Sequence, residues 1–167
     1  MFDAVVCGDE SALIHLLSLG ASIHSVDDQG LTALHWSAAS PEGENLVPYL
    51  LSRGAHIDAR DIAGITPLHL HCARGRIFGA ACLLHQGADA NSQTTDSLGM
   101  TPLTFATKLN HAEIVRLLLA YGAKASPNDS AKSPSSASAT ASATRLPTTQ
   151  EAGETLPASQ NIKRVTK

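Results

Sequence analysis

Residues 61 to 69 read Asp61-Ile62-Ala63-Gly64-Ile65-Thr66-Pro67-Leu68-His69. An aspartate can accept bonds from nearby backbone N–H groups and a glycine three places on can take a positive φ, so Asp-x-x-Gly reads as a tight turn. Threonine suits a helix N-cap, and proline suits the first helical position, where its missing N–H is not needed. Histidine at the third helical position can reach back to the cap much as glutamate does in a capping box. The stretch therefore specifies a turn followed at once by a helix start. The helix runs from Thr66 to Arg74, breaks at Gly75, and is followed by a second helix from Ile77 to Gln86 that Gly87 ends as a left-handed cap.

The same pattern recurs along the chain. Gly20-Ala21, Gly54-Ala55, Gly87-Ala88 and Gly122-Ala123 are spaced by 34, 33 and 35 residues. Asp27-Asp28-Gln29-Gly30 and Asp96-Ser97-Leu98-Gly99 repeat the turn, and Thr32-Ala33-Leu34-His35 and Thr101-Pro102-Leu103-Thr104 repeat the helix start. A two-helix unit of about 33 residues cannot bury both faces alone, so neighbouring units must stack to complete the core. Thr104 in place of histidine and Asn110 in place of the inter-helix glycine suit a terminal unit. Two lengthened connections, Ser40-Pro41-Glu42-Gly43-Glu44 and Gln93-Thr94-Thr95, are expected to be surface changes that leave the stack intact.

These motifs, with His111-Ala112-Glu113-Ile114-Val115-Arg116-Leu117-Leu118-Leu119 in the second helix of the last unit, resemble the ankyrin-repeat family over residues 1 to 125. The expected fold is an all-α solenoid of helix-turn-helix units with β-turn fingers. It is divided into an N-terminal capping half-repeat 1–26 and repeats 27–60, 61–95 and 96–125. The resemblance implies turns that project as fingers, first helices lining a concave face, and a role in protein binding.

Composition sets the remaining limits. Residues 126–167 hold 8 Ser, 7 Ala, 6 Thr and 4 Pro, 25 of 42 positions, with too few large apolar residues to offset chain entropy, and are expected to form a disordered tail. The formal charge of −3 divides into −5 for residues 1–125 and +2 for the tail, which gives no electrostatic footprint for nucleic acid. No apolar run of 18 residues and no secretory leader is evident, so no membrane insertion and a cytoplasmic or nuclear location are expected. Cys7, Cys72 and Cys82 lie in apolar stretches and read as reduced core thiols.

Eight histidines invite a metal or catalytic reading. His69-x-His71-Cys72 is the densest cluster, yet His69 is accounted for by its cap and residues two apart do not share a helix face. His15, His24, His56, His85 and His111 read as solvated. No phosphate loop, nucleophile elbow or paired carboxylates in a recurrent context are found, so neither a reaction nor a cofactor is assigned.

Interaction chemistry is better supported. Leu31, Ile65 and Met100 fall at equivalent places on three fingers, where they either contact a partner or pack between fingers. Gln29, Ile62, Ala63 and Leu98 sit at the finger tips, and Arg74 and Lys108 are read as matching positions forming a polar rim. Thr32, His35, Thr66, Pro67, His69, Thr101 and Pro102 are read as caps. Trp36, Leu70 and Phe105 are expected in the inter-repeat core, and the outer face of the last unit is expected to be apolar and covered. Leu83, Asp89 and Asn91 resemble the pattern at which ankyrin repeats are hydroxylated on asparagine, although an asparagine there commonly bonds the following turn. The expected protein is a monomeric, non-catalytic adaptor. The alternatives are a passive spacer, or the recognition segment of a larger enzyme such as an ankyrin-containing palmitoyltransferase or a ubiquitin-ligase adaptor.

Overall fold

A computed structural model describes residues 1–125 of the 167-residue chain; the expected tail, 126–167, lies outside the described residues. Helices α1 (Phe2–Val6) and α2 (Glu10–Ser18) form a half-unit without a finger. Unit one contains α3 (Ala33–Trp36), which continues as a 3-10 turn over Ser37–Ala39, then α4 (Pro41–Glu44) and α5 (Val47–Ser52). Unit two contains α6 (Pro67–Ala73) and α7 (Ile77–His85), and unit three α8 (Pro102–Lys108) and α9 (Ala112–Ala120). Among the described residues no β-strand forms, and one isolated antiparallel bridge joins Val26 to Thr32.

First helices pack on first helices and second helices on second helices: α3 meets α6 and α6 meets α8, while α5 meets α7 and α7 meets α9. The two layers close around two series of equivalent leucines. Leu34, Leu68 and Leu103 come from the first helices and Leu50, Leu83 and Leu118 from the second, and all are buried.

The caps are built as their sequence suggests, and each histidine also does something the sequence does not announce. His35 Nδ1 accepts from the Thr32 N–H at 3.0 Å, which leaves the ring proton on Nε2, donated to the Ile65 carbonyl of the next finger at 3.0 Å. His69 repeats this, with Nδ1 accepting from the Thr66 N–H at 3.1 Å and Nε2 donating to the Met100 carbonyl at 3.1 Å. In unit three the Thr104 hydroxyl accepts from the Thr101 N–H at 3.3 Å, so the cap survives without an imidazole. Pro67 and Pro102 occupy the first helical position and are buried.

The fingers are joined by backbone bonds from the Ile62 N–H to the Gln29 carbonyl at 3.1 Å and from the Thr95 N–H to the Ala63 carbonyl at 3.0 Å. The turns approach so closely that Gly64, at φ +74°, could not carry a Cβ, which would lie 2.7 Å from the Thr95 nitrogen.

Both lengthened connections are more than surface changes. Ser40 caps α4 by accepting from the Gly43 N–H at 2.9 Å and donates its hydroxyl to the Val6 carbonyl, so the inserted turn docks on the half-unit. Gly43 is buried there. In the third finger the Met100 N–H bonds Thr94 Oγ1 at 2.9 Å, where Leu31 and Ile65 use Asp27 and Asp61, so Thr94 and not Asp96 closes the turn. The extra residues shift the ladder to Thr94 and leave Asp96 to cap the Gly99 N–H at 3.1 Å.

A size exchange marks unit two. Ser37, His71 and Ala106 occupy equivalent places, as do Leu46, Gly79 and Ile114. Where the first position is small the second is large, and in unit two the order reverses. A Cβ on Gly79 would lie 2.2 Å from the His71 ring. His71 Nε2–H donates to Ser37 Oγ at 3.1 Å, and that hydroxyl donates to the Leu34 carbonyl at 2.7 Å.

Adding a methyl at Gly79 is therefore expected to cost about 2–3 kcal/mol in urea unfolding through overpacking. Combining His71→Ala with Gly79→Leu, the pattern of the neighbouring units, should restore part of the loss relative to His71→Ala alone, and a double-mutant cycle showing additivity would refute the exchange. His69→Ala, which orphans groups at two places, should cost about 2–4 kcal/mol. His69→Thr should cost less, because Thr104 shows that a hydroxyl preserves the cap.

Candidate functional site

The inner face is built by the fingers and the first helices, which the capping bonds hold in register. Leu31, Ile65 and Met100 are half-buried on it, each following its turn glycine. Beyond them Ile62 is 72% exposed and Leu98 52% exposed, with Gln29 and Ala63 also at the surface. Because Ile62 directly follows the turn-closing residue of its finger and Leu98 lies in the enlarged third loop, the two are not equivalent.

Trp36, Leu70 and Phe105 are half-buried, so the fourth helical position lies at the edge of the core and not within it, and Trp36 packs against the buried cluster. Trp36 donates its indole N–H to Asp27 Oδ2 at 2.9 Å and stacks on Phe2 at 6.1 Å, while Phe105 meets His69 edge-on at 5.5 Å. Between units one and two the face sinks into a hollow of about 210 Å³ lined by Leu31, His35, Trp36, Asp61, Leu70 and Arg74. Arg74 and Lys108 are both exposed but do not match: Arg74 is the C-cap of α6, and the C-cap of α8 is Leu109, so Lys108 lies one residue earlier. Lys108 places Nζ 3.3 Å from Met100 Sδ.

The charge on this face comes from carboxylates and cations, since its imidazoles are held neutral. Burial pushes His35 down and His69 to about 4, against the opposing effect of the carbonyls they bond. His71, beneath the face, is pushed to about 4 by burial and has an unpartnered buried Nδ1. At Asp27 partial burial raises the pKa, but bonds from Leu31, Gln29 and Trp36 outweigh it and leave the carboxyl below its usual range.

The other candidate chemistry disperses. His69 and His71 turn to different partners, and among the described residues no group of three or more His, Cys, Asp or Glu is placed to hold a metal. Cys72 is buried and its thiol is pushed up by burial; Cys82 is half-buried and raised by burial and by Glu44. Cys7, read as a core thiol, is exposed because it ends α1. His111, read as solvated, stands at the N-cap position of α9 and turns its ring to the Ala73 carbonyl at 3.1 Å. His24 and His56 are not solitary, since their rings lie 4.5 Å apart. Asn91 donates to the Gly122 carbonyl at 3.4 Å and accepts from the Lys124 N–H at 2.7 Å, so it ties units two and three.

The family model for ankyrin repeats (3 copies) matches residues 1–94 and residues 37–131. The chain belongs to the ankyrin-repeat family. Ankyrin repeats are in general protein–protein interaction modules, and their domains are typically non-catalytic. No curated protein matches this chain. Among the described residues no helix is long and apolar enough to cross a membrane.

Two further apolar surfaces of this ankyrin stack went unnoticed in the sequence or were foreseen only in outline. A groove of about 340 Å³ on the second-helix side is lined by Pro48, Leu51, Phe78, Cys82 and Tyr121, with Phe78 49% exposed. Its only sequence signal is the large apolar pair Ile77-Phe78 at a helix start. The expected apolar outer face of the last repeat is present as a hollow of about 200 Å³ between Ala106, Thr107, Ala112 and Val115.

The neutral histidines fix how stability depends on pH. Their folded pKa values lie below the unfolded value of 6.5, so the unfolded chain takes up the protons first. For His69 and His71 that stability is complete above about pH 6.5 and is lost as pH falls toward 4, by on the order of 1.4 kcal/mol per pH unit for each of the two, and His35 acts in the same direction. Denaturant midpoints should be flat from pH 8 to 7 and fall steeply below 6.5, and His69→Thr should make that acid slope shallower. An equal slope in the variant would remove His69 from the account.

Proposed function

We propose that this protein is a non-catalytic adaptor that binds a protein partner along the inner face of its first helices and its finger row. The observation that carries the reading is the hollow walled by Leu31, Trp36 and Leu70, with Arg74 also in its lining. Ile65 and Met100 take the place of Leu31 on the next two fingers and are half-buried like it, and Ile62 and Leu98 are exposed on those fingers. An apolar centre with aromatic anchors and a polar rim is the pattern of a protein interface. The three free thiols suit a reducing compartment, and a monomer in the cytoplasm or nucleus is part of this proposal.

A photo-crosslinking residue placed in turn at positions 62, 98 and 78 tests which face is used. Protein adducts are expected from 62 and 98, and they should disappear when Leu31, Ile65 and Met100 are replaced together by Ser in a chain whose unfolding remains cooperative. Adducts from 78 alone would move the partner to the second-helix groove and overturn the proposal. Ile62→Ser with Leu98→Ser should change stability by no more than about 0.5 kcal/mol per site, since both side chains are at the surface.

A further inference from the structure

The fingers of repeats one and two close on aspartates in the same way, but repeat two leaves one acceptor over. In repeat one, Asp27 Oδ1 accepts from the Gln29 and Leu31 N–H groups at 2.9 Å each, and Oδ2 accepts from the Trp36 indole at 2.9 Å. In repeat two, Asp61 Oδ1 accepts from the Ala63 N–H at 2.9 Å and the Ile65 N–H at 2.8 Å. The residue equivalent to Trp36 is Leu70, which carries no donor, and no other described side chain takes the indole's place on Oδ2. Asp61 is half-buried and lines the hollow. The ion pair found among the described residues, Arg116 with Glu113, lies on α9.

We propose that this hollow receives a cationic side chain, arginine or lysine, from the protein partner, with its aliphatic stem between Trp36 and Leu70 and its charged head on Asp61 Oδ2. The proposal rests on the inner face being the partner surface. The hollow matches such a side chain in kind: apolar walls for a methylene stem and a carboxylate oxygen for the head. Trp36 contributes an aromatic surface already fixed in place, since Phe2 stacks on it from the N-terminal half-repeat and its N–H is held by Asp27. His35, also in the wall, donates its proton to Ile65 and adds no charge at neutral pH. Arg74, exposed and also lining the hollow, disfavours a bare cation, and an acidic residue beside the basic one in the partner offsets that repulsion.

The test is a titration of the full, isotope-labelled chain with capped peptides Ala-Ala-X-Glu-Ala in which X is arginine, lysine or norleucine. Amide shifts are followed together with the fluorescence of Trp36, the sole tryptophan. The arginine and lysine peptides are expected to move the signals of Trp36, Asp61 and Leu70 and to bind roughly tenfold more tightly than norleucine, in keeping with one charge-assisted bond. Asp61→Asn retains Oδ1 for the two turn N–H groups while removing the charge, and should lose about tenfold in arginine affinity with little change in thermal unfolding. Leu70→Trp supplies the donor that Trp36 gives to Asp27, and should close the site to all three peptides. Norleucine binding as tightly as arginine, undiminished arginine binding by Asp61→Asn, or no shift with any peptide would each overturn the assignment. Crosslinks from positions 62 and 98 judge the surface itself, so a chain that crosslinks there and ignores arginine keeps its interface and loses this occupant.

Discussion

The structure depends on an imidazole that is bonded at both ends. At the third helical position a glutamate could satisfy the cap as well as a histidine does, but its carboxylate has no proton to give to a carbonyl in the next unit. Neutral histidine carries one acceptor and one donor on opposite sides of a rigid ring. His35 and His69 spend the acceptor inside their own unit and the donor on the neighbour, so the condition that starts a helix also sets where the next finger lies. Because those fingers then present Ile65 and Met100 on the same side as Leu31 of the first finger, this part of the inner surface follows from the caps. Burial keeps the rings neutral and the bonds intact at ordinary pH.

The repeat was legible because each of its parts has a local chemical reason. Asp61 to His69 states a turn, a cap and a helix start within nine residues, and the structure forms all three in that order. The far end of the imidazole was not legible, since nothing in Thr66-Pro67-Leu68-His69 reveals which carbonyl lies 3.1 Å from Nε2. The two insertions were misjudged for a related reason. Their length marks them as tolerant loops, but Ser40 reaches Val6 only through the stacking of units, and Thr94 closes the third finger on Met100 from a place that the Asp-x-x-Gly pattern does not mark.

Less of the candidate site was legible. Equivalence of position placed Leu31, Ile65 and Met100 together, and the same logic placed Trp36, Leu70 and Phe105 together but deeper than the half-buried places they occupy. Position in a repeat tells which residues share an environment without saying whether that environment is closed. The orphan oxygen of Asp61 is a sharper case. It arises from the contrast between Trp36 and Leu70, two residues that an apolar/polar pattern places in one class although only the first has an N–H to donate. The second-helix groove beside Phe78 gave a weaker signal still, because its walls come from three units and from positions outside the repeated leucines and Gly-Ala pairs.

The exchange of volumes between His71 and Gly79 reaches beyond packing. Repeat arrays commonly lengthen by copying a unit in tandem, and each copy must find in its predecessor what the original found in its own. Repeat two requires a hydroxyl at the place of Ser37, because His71 Nε2–H has to be received there. A second copy of repeat two would meet, at that place, the imidazole of the first, a ring in a pocket shaped for a hydroxymethyl group. Repeat two is therefore fitted to follow repeat one, whose Ser37 supplies the acceptor, and a copy placed after itself would have to make do with the Nδ1 of the first His71 in place of that hydroxyl.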